Sequence, residues 1–255
     1  MSLRRFSVMG ARVDAGSMQE MDAEILRLSQ AKGCSRVCFA NAHMVVESWR
    51  DPSLRTAMEE ADIVCPDGMP IARLLRRHFP GQMRVEGMAA FPRLLEAASR
   101  QGIAVGFFGS TPAVQEAMRE KAARELPNLR VVLSEAPPFG EFDEAQRARQ
   151  LDKVRQSGAK LVFVGLGCPR QELWMAAARD LDACLLGVGN AFEVWLGHRR
   201  RAPAWAREAC LEWAFRLVQE PRRLAGRYAR SNLLFLLALP GWLWTTRRIS
   251  NWRES

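Results

Sequence analysis

An aspartate and a glycine-rich turn, each placed after an apolar run, are the residues of this 255-residue chain best suited to chemistry. Asp67 ends the segment Val64–Asp67 and precedes an amphipathic pattern, so its carboxylate could be a general base at a strand end. It could equally do no more than cap the N-terminus of the following helix.

A second segment, Gly165-Leu-Gly-Cys-Pro-Arg-Gln-Glu, joins a strand-like run to a helix-like one. Its backbone N–H groups and the helix N-terminus could bind an anion, or the turn could be a plain connection. Gln171 and Glu172 would lie in the first helical turn, where one of them could hydrogen-bond a sugar or a base.

The last fifth of the chain carries nearly all of its positive charge. From Arg199 to Ser255 there are twelve arginines, no lysine and four glutamates, which account for +8 of the formal +9. Arginine grips phosphate through paired hydrogen bonds and is favoured over lysine at interfaces. Five tryptophans and the apolar run Leu233–Leu239 lie among these arginines. The combination predicts a surface that meets both phosphate and a membrane.

Two other interpretations of this basic segment have to be weighed. The stretch 233–244 holds about 12 mostly apolar residues before and around Pro240-Gly241, short of the roughly 20 that span a bilayer. It could be an ordinary buried helix, but the flanking Trp and Arg residues favour the membrane interface. A basic tail with tryptophans could also bind nucleic acid; because no nucleic-acid motif accompanies it, no such partner is expected.

Strand-like and helix-like segments alternate through the rest of the chain. Apolar runs predict strands near 36–40, 62–65, 103–108, 129–133, 161–164 and 183–188, and helical patterns fall near 17–31, 51–61, 68–77, 88–100, 112–126, 143–156 and 170–179. This order predicts an α/β fold with a Rossmann-like, largely parallel sheet flanked by helices. We expect a catalytic domain over 1–198 and a helical, Arg/Trp-rich C-terminal appendage over 199–255 that completes the site.

In an open parallel sheet, ligands bind beyond the carboxyl ends of the strands. Glycine or polar turns follow five of the predicted strands, beginning at Asn41, Pro66, Gly109, Gly165 and Gly187. Because these turns share one edge of the sheet, we expect them to form one site. The candidate residues in them are Asn41, Asp67, Gly109, Gly167, Gln171, Gly189 and Asn190.

Several other classes of site are disfavoured. The six cysteines contain no Cys-x-x-Cys pair and read as reduced core residues, and the three histidines are too scattered for a zinc site, so no metal is expected. No G-x-G-x-x-G or Walker A pattern supports a dinucleotide or P-loop site. Asp180-Leu-Asp182 has the D-x-D spacing of nucleotide–metal sites but falls at the opposite edge of the sheet. The first 14 residues have no apolar core, so no signal peptide is expected.

The motifs taken in order resemble the WecG/TagA/CpsF family of glycosyltransferases over residues 5 to 230. The segments that carry the resemblance are Asn41-Ala-His-Met-Val, Pro66-Asp-Gly, Arg84-Val-Glu-Gly, Gly165-Leu-Gly-Cys-Pro-Arg-Gln-Glu, Gly187-Val-Gly-Asn-Ala-Phe, Arg201-Ala-Pro, Leu211-Glu-Trp-Ala-Phe-Arg-Leu and Glu220-Pro-Arg-Arg. The resemblance implies an inverting transfer of a sugar, of the N-acetylmannosamine or glucose type, from a UDP-sugar to a sugar on undecaprenyl diphosphate. It further implies a peripheral enzyme at the cytoplasmic face of the membrane, acting in surface polysaccharide synthesis without a cofactor.

The resemblance also implies roles for single residues. Asp67 matches the family's proposed base, Asn41 and Gln171 match polar residues of the pocket, and Arg216 and Arg223 match appendage arginines proposed to meet the nucleotide diphosphate. A third such arginine falls beside Gly226, so Arg227 is expected to take its place. The chain departs from the family's pattern at Phe39, Asn190 and Glu193, which leaves the donor sugar open.

One interpretation from another class is kept beside this one. The same basic tail would suit a non-catalytic module that binds a nucleotide or anionic lipid without chemistry at Asp67. The oligomeric state also stays open, a homo-oligomer included.

Overall fold

The computed structural model describes residues 3–140, 142–219 and 221–251, apart from the side chains of 223, 224, 227–229 and 245–251. The strands are β1 (Arg4–Val8), β2 (Ala11–Ala15), β3 (Ser35–Ala40), β4 (Ile63–Pro66), β5 (Val105–Gly109), β6 (Val131–Glu135), β7 (Leu161–Gly165) and β8 (Cys184–Gly187). The helices are α1 (Met18–Gln30), α2 (Ala42–Arg50), α3 (Pro52–Glu59), α4 (Met69–Leu75), α5 (Gly87–Gln101), α6 (Pro112–Glu125), α7 (Glu144–Ser157), α8 (Arg170–Ala176), α9 (Ala191–Trp195), α10 (Ala204–Glu208), α11 (Glu212–Gln219) and α12 (Pro221–Asn251).

The centre of the fold is a six-stranded sheet in the order β4-β3-β8-β7-β5-β6. Every neighbouring pair in it is parallel. The predicted α/β fold with a parallel sheet flanked by helices is therefore confirmed, and each of the six predicted strands is present. Since all six strands run the same way, the turns that follow them meet at one edge.

Both faces of the sheet are covered, as a parallel sheet requires. Adjacent residues of β5 show the two sides, because side chains alternate across a strand. Phe107 packs with Phe91 and Phe163 under α5. Phe108 points the other way and stacks on Trp174 of α8, with ring centroids 4.3 Å apart.

Helix starts follow the sequence closely. Ser17 caps α1 in a capping box with Glu20, and Thr111 caps α6 with Pro112 in its first turn, as the Thr-Pro pair predicts. Asn41 caps α2 by accepting a hydrogen bond from the Met44 N–H. The helices α2 and α9 were not anticipated from the sequence.

The antiparallel hairpin of β1 and β2 was also missed. A salt bridge of 2.8 Å joins Arg5 to the buried Asp14. Asp14 in turn accepts a hydrogen bond from the Val64 N–H, 2.7 Å away, which ties the hairpin to β4. The hairpin is thus held by partners far away in the sequence.

The C-terminal segment is helical, as predicted, and α12 continues through Pro240. One side of α12 packs on the protein: Phe235 is 4% exposed and joins the core cluster that includes Met44 and Val45 of α2. The other side is open, with Leu236 62% and Leu237 68% exposed. The apolar run therefore combines features of a buried helix and of an exposed apolar surface. Within the described residues, no helix has the combined length and apolar character needed to cross a bilayer.

Candidate functional site

A pocket of about 730 Å³ opens at the carboxyl edge of the sheet. Turns after β3, β4, β5, β7 and β8 line it, together with residues of the segment 199–219. Seven of the candidate residues come together there, namely Asn41, Asp67, Gly167, Gln171, Gly189, Asn190 and Arg216. Gly109 lies behind the wall, and the Arg223 and Arg227 side chains fall outside the described residues.

Asp67 does not cap the helix that follows it. Helix α4 begins at Met69 with Gly68 as its N-cap, and no side chain caps it. The Asp67 carboxylate instead faces the pocket with its side chain 19% exposed, and its Oδ1 atom is buried without a hydrogen bond to any described residue. The capping interpretation was therefore wrong, and the carboxylate has a proton-accepting oxygen to offer.

The surroundings of Asp67 favour its neutral form more than water does. Burial is the largest cause that raises its pKa, and the nearby Glu212 and Glu86 raise it further. Arg84 and Arg216 oppose them, and the pKa settles at about 6 instead of the usual 3.8. A carboxylate with a pKa this close to neutral is suited to general base catalysis near pH 7.

Arg84 is the closest cation to this carboxylate. Its Nη2 atom lies 3.7 Å from Asp67 Oδ1, and its Nε atom donates a hydrogen bond to the Asp67 carbonyl oxygen. Burial lowers the pKa of Arg84, but attraction to Asp67, Glu212 and Glu86 raises it above its usual value. Arg84 therefore stays charged inside the site.

Glu212 of α11 binds two arginines at once. Its Oε2 accepts from Arg84 Nη2 at 2.6 Å and its Oε1 accepts from Arg216 Nη2 at 2.6 Å. Burial raises the Glu212 pKa, yet the two arginines outweigh it and the pKa lies below its usual value. This bridge connects the C-terminal segment to the end of β4.

A second buried carboxylate, Glu86, joins further arginines. Arg201 donates to its Oε2 at 2.6 Å, and Arg207 and Arg84 lie 3.5 Å and 3.4 Å from its Oε1. The segment before α10, α10 itself and the segment before α5 thus meet at one carboxylate. This arrangement holds the basic C-terminal residues over the pocket.

Gln171 connects the two glycine turns of the pocket wall. Its Oε1 accepts hydrogen bonds from the Gly167 and Gly189 N–H groups, each at 3.1 Å. Its Nε2 donates to the Gly187 carbonyl and to Glu172 Oε1. These four bonds occupy the amide, and two N–H groups that the sequence offers to an anion donate to Gln171 instead.

Glu172 is fully buried beneath these turns. Burial raises its pKa to about 7, against hydrogen bonds from Gln171 and the Cys168 side chain that lower it. It does not line the pocket. Its protonation therefore bears on the stability of the turns more than on contact with a substrate.

Gly109 acts through its backbone. Its φ is +124°, and a Cβ there would lie 2.6 Å from the Gly165 backbone. Only glycine allows β5 and β7 to end this close together. The following residues, Ser110 and Thr111, reach the pocket in its place.

Five charged residues of this site were not predicted from the sequence: Arg84, Glu86, Arg201, Arg207 and Glu212. A signal was present, since Arg84-Val-Glu places two charges just before the helix predicted near 88–100. Their partners lie more than 100 residues away, however, and the spacing alone does not pair them.

The remaining sequence hypotheses can be located as well. Asp182 precedes β8 at the far edge of the sheet and binds Lys160 and the Gly33 N–H, so the D-x-D spacing lies away from the pocket, as expected. Cys38, Cys65 and Cys184 are buried free thiols, and burial raises the pKa of each. Among the described residues no cluster of His, Cys, Asp and Glu has a metal-binding arrangement.

Comparison with known families adds one finding. The model of the glycosyl transferase WecG/TagA/CpsF family matches residues 6–249, which is nearly the whole chain. The match extends past residue 230, where the motifs end, and takes in most of α12.

Proposed function

We propose that this chain, which belongs to the WecG/TagA/CpsF family of glycosyltransferases, is an inverting enzyme that uses a UDP-sugar as donor and a lipid-diphosphate-linked sugar as acceptor. Family membership itself makes it a glycosyltransferase of cell-surface polysaccharide synthesis. The donor, the acceptor and the residue roles below are our proposal.

One observation carries the proposal: a buried carboxylate with a raised pKa faces a pocket that several arginines also line. Asp67 has a pKa of about 6, so most of it is ionised at pH 7 and can accept a proton. Arg84, Arg199, Arg200, Arg201, Arg207 and Arg216 line the same pocket. A base and several cations in one pocket suit attack by a hydroxyl and departure of a diphosphate.

The reaction follows from this arrangement in one displacement. The Asp67 carboxylate takes the proton of the acceptor hydroxyl as the hydroxyl oxygen attacks the anomeric carbon of the donor. The bond from that carbon to the diphosphate oxygen breaks on the opposite side, and its electron pair leaves with UDP. A single displacement inverts the anomeric configuration and needs one base.

Arginine neutralises the charge that develops on the leaving diphosphate. Arg216 is placed for this role because it lines the pocket and holds Glu212 through one Nη atom. We propose that Arg223 and Arg227 join it, on the strength of the family resemblance. Guanidinium groups suit this role because each offers paired N–H donors to phosphate oxygens.

We further propose that the enzyme is peripheral at the cytoplasmic face of the membrane. Exposed Leu233, Leu236, Leu237 and Trp244 form an apolar surface on α12, flanked by basic residues. Such a surface suits the plane of a membrane interface, and a lipid-diphosphate acceptor would be held there.

The experiment that tests the proposal is UDP release by the purified full-length protein. UDP-ManNAc, the UDP-ManNAc uronate, UDP-GlcNAc and UDP-glucose are each supplied with and without a short-chain lipid-diphosphate GlcNAc or glucose. Acceptor-dependent UDP release with one donor supports the proposal and identifies the sugar.

The product of that reaction provides the stereochemical test. A proton NMR spectrum of the new linkage should show the anomeric configuration opposite to that of the donor. Retention of configuration would contradict a single displacement. UDP binding without release for any pair would favour the non-catalytic module.

A further inference from the structure

We propose that Glu212 is a positioning residue that keeps the Arg84 guanidinium turned away from the Asp67 carboxylate, so that the base is left free to accept a proton. This inference rests on the proposed role of Asp67 as the base. It gives a function to a residue of α11 that need not touch either substrate.

The Nη2 atom of Arg84 lies near two carboxylates, those of Glu212 and Asp67. This atom lies 2.6 Å from Glu212 Oε2 and 3.7 Å from Asp67 Oδ1. The first distance is that of a charge-assisted hydrogen bond, and the second is too long for one. The two carboxylates thus compete for one nitrogen, and Glu212 holds it.

The other contacts of Arg84 keep its planar guanidinium next to Asp67. Its Nε donates to the Asp67 carbonyl oxygen, and its Nη1 lies 3.4 Å from Glu86. Arg84 is therefore anchored next to the base, and a small tilt of the whole guanidinium plane about its Nε contact would bring Nη2 to Asp67 Oδ1. Without Glu212, the buried Oδ1 of Asp67, which accepts no hydrogen bond from any described residue, would be an acceptor 3.7 Å from Nη2.

Glu212 is itself held firmly enough to do this. Its second oxygen binds Arg216 one helical turn further along α11, at 2.6 Å. The bond fixes the carboxylate between the two arginines. The pair is also largely shielded from water, with side chains 9% exposed at Arg84 and 16% at Glu212, so it is not weakened as a surface pair would be.

The proton affinity of Asp67 depends on this arrangement. The charged groups that face it are Arg84 and Glu86 from the segment before α5, and Glu212 and Arg216 from α11. Glu86 is in contact with Arg201 and Arg207, and His43 of α2 lines the same pocket. A hydrogen bond from Arg84 to Oδ1 would stabilise the ionised carboxylate and lower the Asp67 pKa from about 6 toward the usual range.

The test is the pH dependence of kcat/KM in the full-length enzyme with Glu212→Gln. In the unaltered enzyme the acidic limb should reflect a group with a pKa near 6. In the variant we expect this limb to move toward lower pH by about one unit. The value of kcat/KM on the plateau above the limb should fall roughly tenfold, because a weaker base accepts the proton more slowly. The matched control is Glu208→Gln, which removes an exposed carboxylate of α10 and should leave the limb in place.

A direct electrostatic effect has to be separated from one that acts through Arg84. For this, Glu212→Gln is repeated in an Arg84→Gln background. If Glu212 acts by holding Arg84, the shift of the limb should largely disappear in the double variant. A shift of the same size in both backgrounds would overturn the inference, as would a limb that does not move in Glu212→Gln alone.

A readout that needs no turnover keeps this inference distinct from the proposed function. With 13C-labelled aspartate, the Asp67 carboxyl signal is identified by its loss in Asp67→Asn. The titration of this signal is then followed in the unaltered protein and in Glu212→Gln. Failure of UDP release with every donor would count against the proposed reaction, but a lowered Asp67 pKa in Glu212→Gln would still support the positioning role. An unchanged titration would refute it even in an active enzyme.

Discussion

The carboxylate of Asp67 and the guanidinium of Arg84 lie side by side without a hydrogen bond between them, at 3.7 Å. At that distance the cation still stabilises the ionised carboxylate, although burial more than offsets this and leaves the pKa at about 6. Arg84 also donates a hydrogen bond to the Asp67 backbone carbonyl, so the two residues are fixed relative to each other. The pair is close enough for the cation to influence the Asp67 pKa and too far apart for Oδ1 to accept a hydrogen bond from Arg84.

Replacing the base should abolish most of the turnover. In Asp67→Asn the shape of the side chain is kept while its ability to accept a proton is lost, and kcat should fall at least 10²-fold. UDP affinity, measured by calorimetry, should change little, because the arginines that would hold the diphosphate remain. Near-normal turnover in this variant would remove Asp67 from the mechanism.

The raised pKa of Asp67 should also be visible in stability. The folded protein binds this proton more tightly than the unfolded chain does, so the contribution of Asp67 to the free energy of unfolding falls as pH rises from about 4 to about 6 and is then constant. The Asp67→Asn variant has no carboxyl group at this position, so its free energy of unfolding does not decrease in this way as pH rises. Its free energy of unfolding relative to the unaltered protein should therefore increase over that range, by on the order of 2 kcal/mol.

This difference is measured by urea unfolding of the two proteins at pH 4, 5, 6, 7 and 8. Effects of other groups, such as the buried Glu172, are common to both and cancel. A difference that stays constant with pH would show that Asp67 has an ordinary pKa in the folded protein.

Removing Arg216 should weaken use of the donor. An arginine–phosphate hydrogen bond contributes roughly 1.5–3 kcal/mol, so Arg216→Ala should lower UDP affinity by about 10- to 100-fold. Arg223→Ala should act similarly if the resemblance holds. Arg222→Ala is the matched control, because that side chain is exposed on the same helix as Arg223 and should leave the affinity unchanged. If all three variants bound UDP as tightly as the unaltered protein does, this role for Arg216 and Arg223 would be ruled out.

The exposed leucines of α12 should control lipid binding without controlling the fold. Changing Leu236 and Leu237 to Gln removes apolar side chains that make up much of the open surface, so co-sedimentation with anionic liposomes should fall several-fold while the melting temperature stays the same. The buried neighbour Phe235→Ala serves as the contrast, because it should destabilise the protein by about 3 kcal/mol or more. Undiminished sedimentation of the double leucine variant at physiological salt would place the lipid contact elsewhere.

Gln171 should be needed for the pocket wall to form. In Gln171→Leu the Gly167 and Gly189 N–H groups and the Gly187 carbonyl lose their shared partner, at about 1–3 kcal/mol for each buried group. We expect a free energy of unfolding lower by about 3 kcal/mol or more, measured by urea denaturation. Gln156→Leu, at an exposed position of α7, should be nearly neutral. A fully stable Gln171→Leu would indicate that the two turns hold their shape without the amide.

The fold was predictable where its signals are local. Strand and helix patterns along the chain gave the six parallel strands, and the turns after them gave a shared edge with Asn41, Asp67 and Asn190. The charge network and the attachment of the hairpin to the sheet were not predictable for the same reason: the groups that bond to each other are distant in the sequence. Asp14 binds Arg5 within the hairpin but also the Val64 backbone, and Arg84 and Glu212 are 128 residues apart in the chain.

The capping interpretation of Asp67 failed for a related reason. A carboxylate two residues before a helix looks the same in the sequence whether it turns toward the helix or away from it. The direction is decided by what the rest of the chain places nearby, and here Arg84 and the pocket lie on the other side. Spacing identified the residue, and tertiary contacts determined its role.

The packing of α12 on α2 fixes the orientation of the pocket relative to the exposed leucines of α12. Helix α2 follows its N-cap Asn41 in the pocket wall, and α12 packs on that same helix through Phe235. A flexible tether would let the protein roll freely over any surface that its end touches. A helix packed in this way instead fixes the orientation of the protein relative to any flat layer that contacts Leu236 and Leu237. The pocket would then always have the same orientation relative to that layer.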